Sequence, residues 1–282
     1  MLLLIRPLRL LVILKAMNPE TQVKYGTITK ANILAVASNN LLPARAGDLL
    51  MVLILSNSSI KMRHTVPATV MEKGIDFAAA LFLFLGVLAA LPISFAWVTT
   101  SAYMLLFGLF LALISVCLLV SRADAFLWLS ERLFERVSFD RRVRWQGWLI
   151  DMSSGLSAAG KPIVLLKVLA LTTAICWFTV TFFWLGARSV GAEISLVAAA
   201  FTAGAVSLSF LAPITPGGLG VFHAVIVVSL SLFEVPLAQG IACGILAHGL
   251  PFLGSMILGY AISILSGVGI GFLTQRLKND DG

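Results

Sequence analysis

Charge is what this chain lacks. Asp, Glu, Lys and Arg together supply only 12% of its 282 residues, about half of the roughly 25% that a soluble globular domain carries. Apolar residues make up 59%, and the mean hydropathy is +1.00, which excludes a water-soluble fold. Cysteine is scarce too. Cys117, Cys176 and Cys243 stand far apart in apolar runs, which excludes a disulfide framework or a zinc ligand set and leaves them as packing residues. No HExxH, Walker loop, GxGxxG or nucleophile–base pairing occurs, so neither a cofactor, a metal nor a catalytic residue is expected. "TPGGLG" at 215–220 has no strand before it and no Lys after it, as a nucleotide loop would need.

Long apolar runs are what the chain has instead. Residues 77–93, 102–120 and 163–185 reach or approach the roughly 20 residues of a spanning helix. The expected fold is therefore an all-α, polytopic membrane bundle. The net charge of +7 then marks cytoplasmic loops rather than nucleic-acid binding. The opening "MLLLIRPLRLLVILKAM" places arginines inside its run and offers no small-residue cleavage site, so it does not read as a signal peptide.

The bases sort the loops into sides. Segment 121–162 holds Arg122, Arg132, Arg136, Arg141, Arg142, Arg144 and Lys161, whereas loop 94–101 holds none and the turn after 185 pairs Arg188 with Glu193. The first is expected on the cytoplasmic side and the other two outside. Phe126, Leu129, Leu133, Phe134 and Val137 recur at helical spacing in 122–150 beside three tryptophans. That suits an amphipathic helix in the headgroup plane, with a solvated charged linker as the alternative.

Stretch 31–55 has Lys15, Lys24 and Lys30 before it and Lys61, Arg63 and Lys73 after it. Two basic flanks on one side predict a re-entrant segment whose tip is "NNLLPARAGD" (39–48), since Pro and Gly interrupt helices. By the same logic "APITPGGLG" (212–220) is the tip of a second hairpin, spanning 194–233 and entering from the external face. Offsetting the chain by 170 residues superposes Ala35 on Ala205, Val36 on Val206, Leu41 on Leu211, Pro43 on Pro213, Gly47 on Gly217 and Leu49 on Leu219. Two inverted repeats with paired broken helices are a transporter pattern; a pair of kinked helices with no ligand is the plainer alternative. The organisation expected is a partial N-terminal helix and link (1–30), a first repeat (31–120), the interfacial segment (121–162), a second repeat (163–273) and a polar tail (274–282). Under the same offset, part of the counterpart of 163–187 falls upstream of Met1, so an incomplete N-terminus is expected.

Arg45 and Asp48 flank Gly47 at the first tip. Ionisable groups at membrane depth default to a functional role, with a local i,i+3 ion pair as the structural reading. His223 follows the second tip and His248 lies in "GILAHGLPF", either as packing residues or as proton or phosphate contacts. Glu72 and Asp76 enter the 77–93 segment, and Lys167 sits one turn into its span, where it can snorkel.

The ordered motifs "NNLLPARAGD", "ATVMEKGID" and "APITPGGLGVF" resemble the flippase-like transmembrane domain of the lysylphosphatidylglycerol synthase family, over roughly residues 31–272. The resemblance implies a domain that moves anionic or aminoacylated phospholipids between leaflets. It also implies a stand-alone member, since no soluble synthase domain follows and no synthesis of lysyl-lipid is expected. Some such members serve hopanoid or polyprenyl-linked glycan pathways. The matching positions are Pro43, Arg45, Gly47, Asp48, Glu72, Asp76, Pro213, Pro216, Gly217, Gly218 and Gly220. Asp48 stands where the family usually has Glu, His223 where an acid is common and His248 where Arg is common, which puts the usual charge pattern and substrate in question.

The expected site is thus a headgroup site built from Pro43, Arg45, Gly47, Asp48, Glu72, Pro216, Gly217, Gly218, Gly220, His223 and His248. The expected activity is lipid transport, non-enzymatic, in the plasma membrane with a cytoplasmic C-terminus. A membrane phospholipid or lipid-linked substrate is the expected partner, and a second copy or a lipid-modifying enzyme remain open as protein partners. The rival is an accessory protein or glycosyltransferase acting on a polyprenyl-phosphate sugar or in hopanoid assembly. It would need carboxylates placed for acid/base work, for which Asp48, Glu72 and Asp76 are the candidates.

Overall fold

The computed structural model describes residues 1–42, 45–58, 60–90, 161–210 and 215–267, with positions 100, 104, 107 and 108 besides. The elements are α1 (Leu2–Met17), α2 (Tyr25–Leu41), α3 (Ala46–Asn57), α4 (Met62–Ala90), α5 (Pro162–Ser189), α6 (Leu196–Ser209), a 3-10 turn (Pro216–Gly218), α7 (Val221–Ser231) and α8 (Leu237–Ser266). There is no strand among the described residues. Apart from those positions, the expected 102–120 span lies outside them, as do the interfacial segment up to residue 160, the 274–282 tail, Cys117, Pro43 and Pro213.

Local chemistry sets the helix ends. Pro162 occupies the first turn of α5, where its fixed φ fits and no N–H is missed. Ser195 caps α6 by accepting the Ala198 N–H at 3.2 Å. Gly267, at φ 65, closes α8 in the left-handed conformation that glycine adopts freely. Pro7, Pro67 and Pro251 lie inside helices, a placement that membrane helices tolerate better than soluble ones.

Helix α4 begins at Met62, ahead of the expected 77–93 segment, and runs unbroken to Ala90. The charges in its first half have partners within the bundle: Lys73 meets Asp48, while Glu72 and Asp76 meet Arg9.

Helices α5 and α8 are long and apolar enough to cross a bilayer, and most of their apolar length is uncovered by the rest of the bundle. A soluble core helix as apolar as these would be covered. Here Leu166, Leu169, Trp177, Leu253, Ile257 and Ile264 point outward, the arrangement lipid requires.

Helices α2, α3, α6 and α7 form two hairpins. Helix α2 packs along α3, with Ile28, Ala31 and Ala35 sharing a core with Met51 and Leu55. Helix α6 packs along α7, with Ala199, Ala203 and Val206 against Phe222, Ile226 and Leu230. The hairpins reach the long helices from opposite ends. Near the start of α4, Ile60 and Ala68 join the core of the first hairpin. Near its end, Leu88 packs with Phe201 of α6 and with Phe233 just past α7. Helix α8 repeats this: Gly240 and Gly244 face Val227 and His223 of α7, whereas Gly259 faces Ala37 of α2.

Close approach at these crossings depends on missing side chains. A Cβ on Gly204 would lie 2.7 Å from the Phe84 backbone nitrogen, and one on Gly259 would overlap the Ala37 methyl. Small residues at helix crossings are the usual means of association in lipid.

Candidate functional site

The two helix breaks meet. The chain leaves α2 at Leu41 and re-enters helix at Ala46 through Arg45, whose φ of 57 is rare for a residue with a side chain. From there Arg45 Nη1 donates to the Phe210 carbonyl at 3.2 Å, at the end of α6. Gly217 lies against the same junction: at φ 62, a Cβ on it would stand 2.9 Å from the Asn40 carbonyl oxygen. Only glycine satisfies both the dihedral and the space. Asn40 Nδ2 also donates to Ser255 Oγ of α8 at 2.8 Å, fixing the first break to the last helix.

Asp48 organises the first tip. Its Oδ2 pairs with Arg45 Nε at 3.1 Å. Its Oδ1 takes Lys73 Nζ at 3.2 Å and the Asn39 amide at 3.1 Å. Asn39 in turn accepts the Gly47 N–H at 2.8 Å through its Oδ1, satisfying a donor that a helix start leaves unpaired. Both α3 and α7 begin at the junction, and no side chain caps the start of α7. The N-termini of these two helices and the part-exposed guanidinium of Arg45 thus meet the C-termini of α2 and α6 and the Asp48 carboxylate at one junction.

The histidines form a separate cluster just behind the second tip. The rings of His223 and His248 are 5.0 Å apart, and His248 lies 4.9 Å from Phe222 and 5.7 Å from Phe252. Phe222 continues to Phe210 at 5.6 Å. Nε2 of His248 is buried without a hydrogen-bond partner, so the ring is held by packing.

Glu72 does not join Arg45. It is 1% exposed and lies with Asp76 against Arg9 of α1, a fully buried arginine that also donates to Thr172 Oγ1 at 3.3 Å. Arg6 stands 3.9 Å from Asp76.

Of the residues expected at the site, Arg45, Gly47, Asp48, Gly217 and Gly218 come together with Pro216 in the 3-10 turn. Gly220 becomes the N-cap of α7. The Gly218 N–H donates to the Thr215 carbonyl at 3.1 Å, so it closes the turn in place of being a free anion donor. Asn39, Asn40 and Lys73 were not expected at the junction, nor Arg9 beside Glu72. A signal for Arg9 does exist: Arg6 and Arg9 stand three apart in an apolar run, and Glu72 and Asp76 four apart in another, two complementary charged stripes on helices.

Residues 1–259 match the family described as the lysylphosphatidylglycerol synthase TM region. The chain belongs to this family. It is therefore a membrane protein of a family related to lipid handling. No curated protein and no solved structure matches it. As a member of the lysylphosphatidylglycerol synthase TM family, the chain has its two motif-bearing breaks, "NNLLPARAGD" and "APITPGGLG", in spatial contact. Within the matched region, residues far apart in sequence thus build one polar junction in an apolar bundle.

Proposed function

We propose that this protein carries an anionic phospholipid headgroup across the membrane through the junction of two re-entrant hairpins, while the acyl chains stay in lipid. The observation that carries the reading is the contact between the breaks: Arg45 on one tip bonded to Phe210 on the other, 165 residues away. Helices α2, α3, α6 and α7 have 17, 12, 14 and 11 residues. At about 1.5 Å per residue each falls short of the roughly 30 Å hydrocarbon core, and each pair lies side by side, which supports re-entrant hairpins over interrupted spans. Irregular backbone at such depth is sustained where it is buried in protein or lines a polar cavity.

The opposed approach of the hairpins to α4 and α8 supports an inverted repeat of α1–α4 and α5–α8. Charge supports its sidedness. Lys15, Lys24, Lys30, Lys61, Arg63 and Lys161 fall at the end where the first hairpin is based, against Arg188, Glu193 and Glu234 at the other. The first end is then cytoplasmic, and α8 terminates there. Phosphate would be held by the Arg45 fork between two helix N-termini. Asp48 competes for that fork, which favours release. A glycosyltransferase draws less support, because Asp48 and Asp76 are both ion-paired with cations and Glu72 is buried.

The test is leaflet exchange of a fluorescent phosphatidylglycerol in proteoliposomes, read by dithionite quenching. Losing a charge-assisted contact costs about 1.5–3 kcal/mol, so Arg45→Ala should weaken headgroup affinity roughly ten- to a hundred-fold. Equal exchange and affinity in wild type and Arg45→Ala would make Arg45 a structural ion-pair partner and refute the mechanism.

A further inference from the structure

Lipid carriage through the junction leaves one buried acid unused. Glu72 Oε1 lies 3.4 Å from Arg9 Nη2, and Oε2 is buried with no hydrogen-bond partner. Arg9 is better engaged elsewhere: Nη2 donates to Asp76 Oδ1 at 2.5 Å and Nη1 to Thr172. Asp76, not Glu72, therefore holds the arginine. A carboxylate with one oxygen unpaired in the interior is disfavoured as an anion, while Arg6, Arg9 and Lys73 close by favour it. Glu72 is consequently placed where both protonation states are supported, the condition for taking up and giving off a proton.

The surroundings connect this acid to the junction. Lys73 and Asp76 flank it on α4, Arg6 and Arg9 face it from α1, and Thr172 and Cys176 border the cluster from α5. Lys73 reaches Asp48 of α3, whose other oxygen holds Arg45. Asp76 and Arg6 are part-exposed, with Asp76 one turn further along α4 than Glu72. Glu72 thus stands between a part-exposed carboxylate and the Lys73–Asp48–Arg45 chain.

We propose that Glu72 is a proton-binding site that couples headgroup transport to proton movement, one proton travelling with one anionic phosphodiester. The inference rests on the lipid-transport reading above. A proton taken from water on one face onto Glu72 removes a negative charge beside Lys73. Lys73 then holds Asp48 more strongly, and Arg45 is released toward phosphate. By linkage, bound phosphate raises the proton affinity of Glu72 by the same factor. The proton leaves to water on the other face with the headgroup, so the cycle moves no net charge.

The experiment uses proteoliposomes of the full chain with fluorescent phosphatidylglycerol and a one-unit pH gradient. A gradient of that size supports a leaflet ratio of up to about tenfold per coupled proton. Wild type should develop such an imbalance, indifferent to a valinomycin-imposed potential, and Glu72→Gln exchange should ignore the gradient. A wild type that exchanges lipid but ignores the gradient, or a Glu72→Gln protein that follows it, overturns the coupling and leaves the transport reading standing. If wild type exchanges no lipid, the transport reading fails, and infrared spectra of the wild type then decide the proton site. A carboxylic-acid band that titrates while the protein stays folded, and that is lost in Glu72→Gln or shifted in Glu72→Asp, supports a proton on Glu72; its absence overturns it.

Discussion

Gly47 is where the geometry of the first tip can be tested with one methyl group. Its N–H donates to Asn39 Oδ1 at 2.8 Å, and Asn39 holds Asp48 at 3.1 Å. A Cβ at Gly47 would overlap the Ala35 carbonyl oxygen and come within 2.7 Å of Asn39 Oδ1. The carbonyl belongs to the α2 backbone and cannot rotate away, so α3 must shift. Overpacking of this kind costs about 1–3 kcal/mol, and weakening the Asn39 hydrogen bond adds about 0.5–1.5 kcal/mol. Replacing a helical glycine by alanine returns about 1 kcal/mol. Gly47→Ala should therefore destabilise the protein by about 0.5–3.5 kcal/mol and slow lipid exchange with it, because Asn39 then holds Asp48 less firmly. Gly74→Ala and Gly86→Ala in α4 provide the comparison: nothing lies within 4 Å of their added Cβ, and each should be neutral or stabilising by up to about 1 kcal/mol. Reversible unfolding in mixed micelles with SDS measures all three. If Gly47→Ala is as stable as Gly74→Ala, the α2–α3 contact is not the close backbone approach described, and the tip argument fails.

Arg9→Met should destabilise by about 3–5 kcal/mol in the same unfolding assay, because it leaves two carboxylates without their buried partner; a cost below 1 kcal/mol would show that water reaches the cluster. His248→Phe should keep stability or raise it by about 1 kcal/mol, since it removes an unsatisfied buried nitrogen from an aromatic cluster. A large loss of transport in that variant, with stability kept, would assign the ring to the substrate path. With the native cysteines replaced, Gly26→Cys and Lys61→Cys should label only from the cytoplasm, and Gly191→Cys and Val235→Cys only from outside. Opposite labelling within either pair would exclude a re-entrant hairpin.

The sequence alone settled what depends on composition and local order. Long runs with few charges give helices in lipid, because unpaired backbone groups cannot be left in hydrocarbon. Pro and Gly clusters mark where those helices stop, because a missing N–H or a positive φ is a property of single residues; Gly217 at φ 62 and the Arg45–Asp48 pair at i,i+3 lie at such marks. Partners remote in sequence were decided by the tertiary structure. Apart from the charged stripes of α1 and α4, the long helices are apolar nearly all round, so little in the pattern indicates which face meets which neighbour. Glu72 stood near the first tip in the motif order, yet the packing of α1 on α4 gives it to Arg9, while Lys73, one residue on and about 100° around the helix, goes to Asp48. Which of two adjacent charges turns inward, and which cation it finds there, follows from how the helices cross, because a buried charge persists only where an opposite one has been brought to meet it.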